Sequence, residues 1–255
     1  MEINHRYRPG NTNALILFIH GLGCDHHAFD EAWESEALQG YALLAPDLPG
    51  CGNSPLPSDQ TPTMPFYAEA LDQLLSGYTF EHLHIVAHSM GSAPGLLLTQ
   101  KPPLKLASFV NIEGNLVPED AGMLSRRTAE TDLETFQTKN YLKLIASAAR
   151  SEDPGTRYWA EQLKRCPAEV YHAKSCSLVE WSDSGQLLKI FSALTVPKLY
   201  VYGDRSVNSD VLKQLDAIPQ HKIRECGHFV MNEQPKAFYS LLADFLKSTT
   251  TVQNT

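Results

Sequence analysis

The 255-residue sequence has no apolar run long enough to cross a bilayer, and its first residues, MEINHRYRPGNT, lack the charged, apolar and small-residue succession of a secretory leader. A soluble, cytoplasmic protein with no membrane partner is therefore expected. No block of five or more like charges occurs, and 21 Lys plus Arg against 29 Asp plus Glu leave a net charge of −8. The basic footprint that nucleic acid requires is missing, so no nucleic-acid partner is expected. Neither G-x-G-x-x-G nor a Walker lysine is present, so no phosphate-cradling loop is expected. Cysteine is sparse and odd in number: Cys24, Cys51, Cys166, Cys176 and Cys226 include no CxxC pair. Free thiols are expected, not a zinc or dithiol site. His26 with His27, and His82 with His84, read as solvated or core histidines, and no metal or cofactor is expected.

What the chain does have is a series of short apolar runs: ALILFI (14–19), YALLA (41–45), LHIVA (83–87), LASFVNI (106–112) and KLYVY (198–202). Their length and lack of alternation fit strands buried on both faces of a parallel sheet. Helical patterns lie between them. The clearest is PFYAEALDQLLSG (65–77), with Phe66, Ala70, Leu71, Leu74 and Leu75 on one face. Alternating strand and helix predict an α/β fold with right-handed crossovers, and the length suits one domain. Between about 115 and 195 the rhythm changes to helical segments with no convincing buried strand: DAGMLSRRTAE, ETFQTKNYLKLIASAAR, TRYWAEQLKR and SGQLLKIFSAL. The reading is a core of 1–114 and 196–255 with a helical insertion over 115–195.

The most informative stretch is LHIVAHSMGSAPGLLL (83–98), a strand running into Ala87-His88-Ser89-Met90-Gly91 and then a helix. Small residues two before and two after a serine let strand and helix approach while a strained turn exposes the hydroxyl, the form of a nucleophile elbow. Pro94 weakens the pattern by removing one helical hydrogen bond, and a plain helix-capping serine is the alternative. At the helix start the Met90 N–H is free to face a developing oxyanion. Upstream, His20-Gly21-Leu22-Gly23 follows a strand and offers the Leu22 N–H as a second donor, with His20 itself structural. Downstream, Cys226-Gly227-His228-Phe229 follows the short strand HKIREC and precedes the helix PKAFYSLLADFLKS.

Together HGLG (20–23), PDLPGCGNS (46–54), AHSMG (87–91), the helical insertion and the late Gly227-His228 resemble the α/β-hydrolase fold superfamily over nearly the whole chain. The resemblance implies a mostly parallel twisted sheet flanked by helices, with the cap inserted between the sixth and seventh strands. It also implies a serine nucleophile, Ser89, and a histidine base, His228. In this superfamily the acid usually stands in a G-x-x-D-like pattern after a late strand, but counting from Gly203 that place holds Ser206, with Asp204 two residues early. Two residues of extended chain displace a side chain by about 7 Å. Glu113, at the end of LASFVNIEG, is the preferred acid, because a subset of haloalkane dehalogenases resembles this arrangement; Asp204 remains the alternative. The chemistry of haloalkane dehalogenases and epoxide hydrolases is disfavoured, since those relatives carry an Asp nucleophile.

The expected function is hydrolysis of a small carboxylic ester, thioester or lactone through an acyl-enzyme. The alternatives are a carbon–carbon bond hydrolase or cofactor-independent perhydrolase, or a ligand receptor that retains the triad. Trp159, Trp181, Tyr158 and Tyr141 are pocket candidates, though core positions suit aromatics as well. Cys24 and Cys226 adjoin the motifs and are expected near the site.

Overall fold

Five apolar runs and HKIREC become strands of one sheet in the computed structural model, which describes residues 1–206 and 208–252. They are β2 (Ala14–Ile19), β3 (Ala42–Pro46), β4 (His82–His88), β5 (Leu106–Ile112), β6 (Lys198–Gly203) and β7 (Gln220–Ile223). One strand has no apolar signature: β1 (His5–Arg8), an edge strand, pairs antiparallel with β3. Its residues alternate between exposed and half-buried, so no hydrophobic run marks it. The order is β1-β3-β2-β4-β5-β6-β7, and every pairing except β1 with β3 is parallel. β2, the six residues ALILFI, is buried along its whole length, as a strand covered by helices on both faces must be.

Register decides where the loops converge. Ile19 pairs with Ala87, Ala87 with Asn111, Ile112 with Val201 and Gly203 with Ile223. The carboxyl ends of these strands therefore lie along one edge, and the loops holding Leu22, Ser89, Glu113, Ser206 and His228 leave from it.

Helix α1 (Met64–Leu75) starts where Thr63 accepts a hydrogen bond from Phe66 N at 3.3 Å, with Pro65 in the first turn, where its missing N–H costs nothing. It buries Tyr67, Ala68, Leu71 and Leu75 in the core. Helix α2 (Ser92–Leu98) follows the elbow, and Pro94 falls in its first turn, so the expected lost hydrogen bond does not arise. A methyl group on Gly91 would lie 2.5 Å from the Ile19 carbonyl oxygen and 2.6 Å from that of His20. The φ of −57° is ordinary, so the demand for glycine is purely steric. Gly91→Ala is expected to cost about 1–3 kcal/mol in urea unfolding, an overpacking penalty against backbone that cannot rotate away.

Between β5 and β6 come α3 (Gly122–Glu130), α4 (Tyr141–Ala148), α5 (Pro154–Leu163), α6 (Ala168–Asp183) and α7 (Gln186–Ala193). The insertion thus follows the fifth strand of this sheet, not the sixth, because only β1 precedes β2. The pattern of the sequence missed α6, the longest of these helices. Lys174, Ser175, Ser177 and Ser182 are buried on it beside Val170, Tyr171 and Leu178, so no apolar stripe announces it. Ser177 Oγ accepts from Met64 N at 3.0 Å, joining α6 to the start of α1. No helix among the described residues is long and apolar enough to cross a membrane. A carboxyl-terminal helix, α8 (Pro235–Val252), buries Phe238, Tyr239, Leu242 and Leu246 against the sheet.

Candidate active site

Ser89 opens a single turn of 3-10 helix, Ser89–Gly91, between β4 and α2, with φ at +53°. A left-handed backbone at a non-glycine residue costs of order 1–3 kcal/mol and persists only where the surroundings impose it. Here the small Ala87 and Gly91 permit it, Gly91 letting the turn press against the Ile19 and His20 carbonyls. The turn leaves Ser89 half-exposed in a cavity of about 300 Å³ that it shares with Leu22, His88, Trp159, His228 and Phe229.

His228 lines the same cavity, and its Nδ1 meets Glu113 Oε2 at 2.9 Å. Glu113 sits just past β5, also in a left-handed conformation, with φ at +43°. Its second oxygen, Oε1, accepts from Gly203 N at 2.7 Å and from Ser206 Oγ at 2.5 Å. Ser206, in the place where the family pattern puts a carboxylate, thus supports a carboxylate supplied by the neighbouring strand. Its identity was visible in the sequence; its direction was not.

Asp204 goes elsewhere. β6 ends at Gly203, the chain turns, and the exposed Asp204 carboxylate accepts from Cys226 N at 3.3 Å, bracing the loop that carries His228. Its pKa is lowered, chiefly by a hydrogen bond from the Glu225 backbone. The alternative acid is therefore not brought to His228; the turn after Gly203 points it at the loop backbone.

The His20–Gly23 loop passes directly over the elbow. A methyl group on Gly21 would lie 2.9 Å from His88 Nδ1 and 3.1 Å from Ser89 Cβ. Trp159 Nε1, on α5, donates to the Leu22 carbonyl at 2.8 Å and fixes that loop from above. Leu22 and Met90 therefore lie on two sides of Ser89, Leu22 in the loop above it and Met90 next in its own turn. His20 is buried; its Nδ1 donates to Gly21 O at 2.9 Å while Nε2 accepts from Leu48 N at 3.0 Å. Burial holds it neutral, its pKa brought down to about 4, in keeping with a structural role. His88 Nε2 donates to the carbonyl of His228 at 3.0 Å, so the residue before Ser89 steadies the loop of His228.

The other expectations divide. Of the four aromatics, Trp159 lines the cavity, whereas Tyr141 is buried and donates to the carbonyls of Leu163 and Cys166. Tyr158 donates to His27 O at 2.9 Å, and Trp181 packs against the core from a partly buried position. Cys24 lines the cavity, but Cys226 does not; its thiol turns to Ile223 O at 3.5 Å. Asp25, His26 and His27 place potential ligand atoms within 4.8 Å of one another, yet each is already engaged, by Arg165, Asp47 and Asp30 respectively. Asp120 was not anticipated at all. It lines the cavity's edge near His228 and accepts from Leu116 N and Val117 N through Oδ2. Burial, outweighing those two hydrogen bonds, pushes its carboxyl up to about 7.

Electrostatics around His228 run in two directions. Removal from water disfavours the imidazolium, but the hydrogen bond and charge of Glu113, with the charges of Asp120 and Glu233, outweigh it and raise the pKa above the ordinary 6.5. A base must be deprotonated to act, and a raised pKa keeps the inactive protonated form populated to higher pH. The acidic limb of kcat/KM for ester hydrolysis is therefore expected to have its midpoint above 6.5, and Glu113→Gln to move it downward. A pH series on both proteins checks this.

A sequence model of the alpha/beta hydrolase fold matches residues 14–235. A 2-hydroxy-6-oxononadienedioate/2-hydroxy-6-oxononatrienedioate hydrolase of Cupriavidus pinatubonensis is 24% identical over 262 residues, covering 95% of this chain and 90% of that protein. The probable lysophospholipase BODYGUARD 4 of Arabidopsis thaliana is 35% identical over 100 residues, 38% of this chain, and the match spans only 24% of that relative's length. A thermophilic esterase from Thermogutta terrifontis, solved with malate bound, superposes with a TM-score of 0.76 over 97% of this chain and 94% of its own, at 21% identity, a likeness of fold. A match that runs from β2 past His228, on this sheet and with the elbow at the end of β4, makes the chain a member of the alpha/beta hydrolase fold family.

Proposed function

We propose that the protein is a serine hydrolase that cleaves a small carboxylic ester, thioester or lactone through an acyl-enzyme. The observation that carries this reading is the 2.9 Å contact of His228 with Glu113 at the wall of the cavity into which Ser89 is turned. In the proposed reaction Ser89 Oγ attacks the carbonyl, His228 Nε2 takes its proton and returns it to the leaving group, and water repeats the sequence to free the acid. Glu113 holds the proton on Nδ1 and stabilises the imidazolium. The N–H groups of Leu22 and Met90 stabilise the oxyanion, each worth about 3–4 kcal/mol where such donors have been removed from other enzymes. Every step uses groups of this chain.

The cavity of about 300 Å³ lies at the small end for ligand sites and suits a short acyl group. Residues 115–195 act as the cap over a core of 1–114 and 196–255, with Trp159 as the contact between cap and oxyanion loop. A second reading, hydrolysis of a carbon–carbon bond in a diketone-type substrate, is favoured by the end-to-end alignment with the Cupriavidus hydrolase. Turnover of short-chain p-nitrophenyl esters against a 2-hydroxy-6-oxo-dienoate separates them. Ester hydrolysis is expected; cleavage of the dienoate with no ester turnover would put the second reading first.

A further inference from the structure

Lys174 lies on the buried side of α6, its side chain wholly out of solvent. An unpaired ammonium in such a place costs several kcal/mol, so a partner is required. Among the described residues no carboxylate lies within ion-pair reach of it; its nearest neighbours are Cys51 Sγ, at 2.6 Å from Nζ, and the ring of Tyr67, whose centroid is 5.2 Å away. Cys51, in direct contact with Nζ, is the group placed to pair with Lys174 as a thiolate, and the neutral Tyr67 hydroxyl adds a second polar neighbour. Cys166, in the turn between α5 and α6, brings its own sulfur to 3.3 Å from that of Cys51. Hydrogen bonding from the Cys166 thiol, together with the Lys174 charge, holds Cys51 down to about 7 against its burial, while Cys166 is pushed up and stays protonated. Thiolate, thiol and ammonium thus stand in contact, outside the machinery of the proposed hydrolysis.

We propose that this cluster is a redox site, at which a hydroperoxide converts Cys51 and Cys166 into a disulfide that fastens the helical segment to the loop after β3. The Cys51 thiolate attacks one oxygen of hydrogen peroxide, the O–O bond breaks, and the departing hydroxide takes a proton from Lys174 and leaves as water. The Cys166 sulfur then attacks the resulting sulfenic acid, the S–O bond breaks, and the hydroxide carries off the Cys166 proton as a second water. Two electrons pass from the sulfurs to the peroxide. One thiolate, one thiol, one ammonium and one peroxide become one disulfide, one neutral amine and two waters. The buried site is neutral overall before and after, so oxidation strands no charge in the core. The sulfurs have only to close from 3.3 Å to a bond of about 2.05 Å. Peroxide is scarcely larger than water, and Tyr171, whose buried hydroxyl has no partner, stands between the active-site cavity that it lines and the charges of Cys166 and Lys174 that act on it.

The test uses the full-length reduced protein and hydrogen peroxide, followed by alkylation in denaturant and mass mapping of unreduced peptides. The expected product is a Cys51–Cys166 linked peptide lighter by two hydrogens and released by reductant. Lys174→Met, which keeps the bulk of the side chain without the charge, is expected to form it roughly five- to fifteen-fold more slowly at neutral pH, as the thiolate fraction falls. Bridging at the wild-type rate in that variant would overturn the role given to Lys174. Should the variant not fold, the wild type itself decides: Cys51 is to be consumed before the more exposed Cys176. Recovery of Cys51 and Cys166 as alkylated thiols after Cys176 has been oxidised would overturn the site altogether. None of these readouts depends on esterase activity.

Discussion

Ser89→Ala is expected to lower kcat for ester hydrolysis by roughly 10⁴-fold or more while leaving the protein folded. The size follows from what one oxygen does in the proposed reaction. It is the atom of the chain that bonds to the acyl carbon, and without it His228 and the oxyanion donors can at best assist a water that no elbow positions. Stability should move the other way. The left-handed backbone at Ser89, φ +53°, is permitted there by the small Ala87 and Gly91, and alanine keeps the same Cβ. Urea unfolding within about 0.5 kcal/mol of wild type would separate a chemical loss from a structural one. A variant that still hydrolyses esters at more than a hundredth of the wild-type rate would remove Ser89 as the nucleophile.

Glu113→Gln is the second large effect, expected at about 10³- to 10⁴-fold in kcat, with Asp204→Asn within about twofold of wild type. The amide keeps the shape of the carboxylate, and its oxygen still accepts from Gly203 N and Ser206 Oγ. Its NH₂ must then face His228 Nδ1, where Oε2 now accepts at 2.9 Å. A donor there forces the imidazole to carry its proton on Nε2, the nitrogen that has to receive the Ser89 proton. The base is thus occupied before the reaction begins. The Asp204 carboxylate engages the backbone of Glu225 and Cys226, so its loss is a matter of loop bracing. If Asp204→Asn were the inactive variant and Glu113→Gln the active one, the assignment of the acid would be reversed.

The sequence announced features that are forced locally and hid those made by distant partners. The elbow was legible because strand, turn and helix cannot meet unless residues 87 and 91 are small. Glu113 was legible by position, as a carboxylate at the carboxyl end of β5 next to the strand that ends before Ser89. The edge strand β1 was not, since polar residues with one exposed face carry no hydrophobic period. Helix α6 was missed for the opposite reason: its buried face carries serines and a lysine, and Ser177 and Lys174 find their partners far off in the chain, Lys174 meeting Cys51 across 123 residues. Asp120 carried no signal in the sequence at all; only folding places it near His228. Propensity and periodicity report a residue's neighbours in sequence, and these residues are defined by neighbours in space.

The hydrogen bond from Trp159 to the Leu22 carbonyl has a kinetic consequence. In the proposed enzyme, α5 cannot swing away from the core without releasing the loop that holds one oxyanion donor. Admission of substrate and readiness for chemistry are then mutually exclusive states of one element. Each turnover must wait for that bond to re-form, and a bulky product that keeps it broken would hold the enzyme in an idle state. Trp159→Phe, which keeps the packing and deletes only the N–H, would loosen this interlock and trade a slower chemical step for faster exchange with solvent.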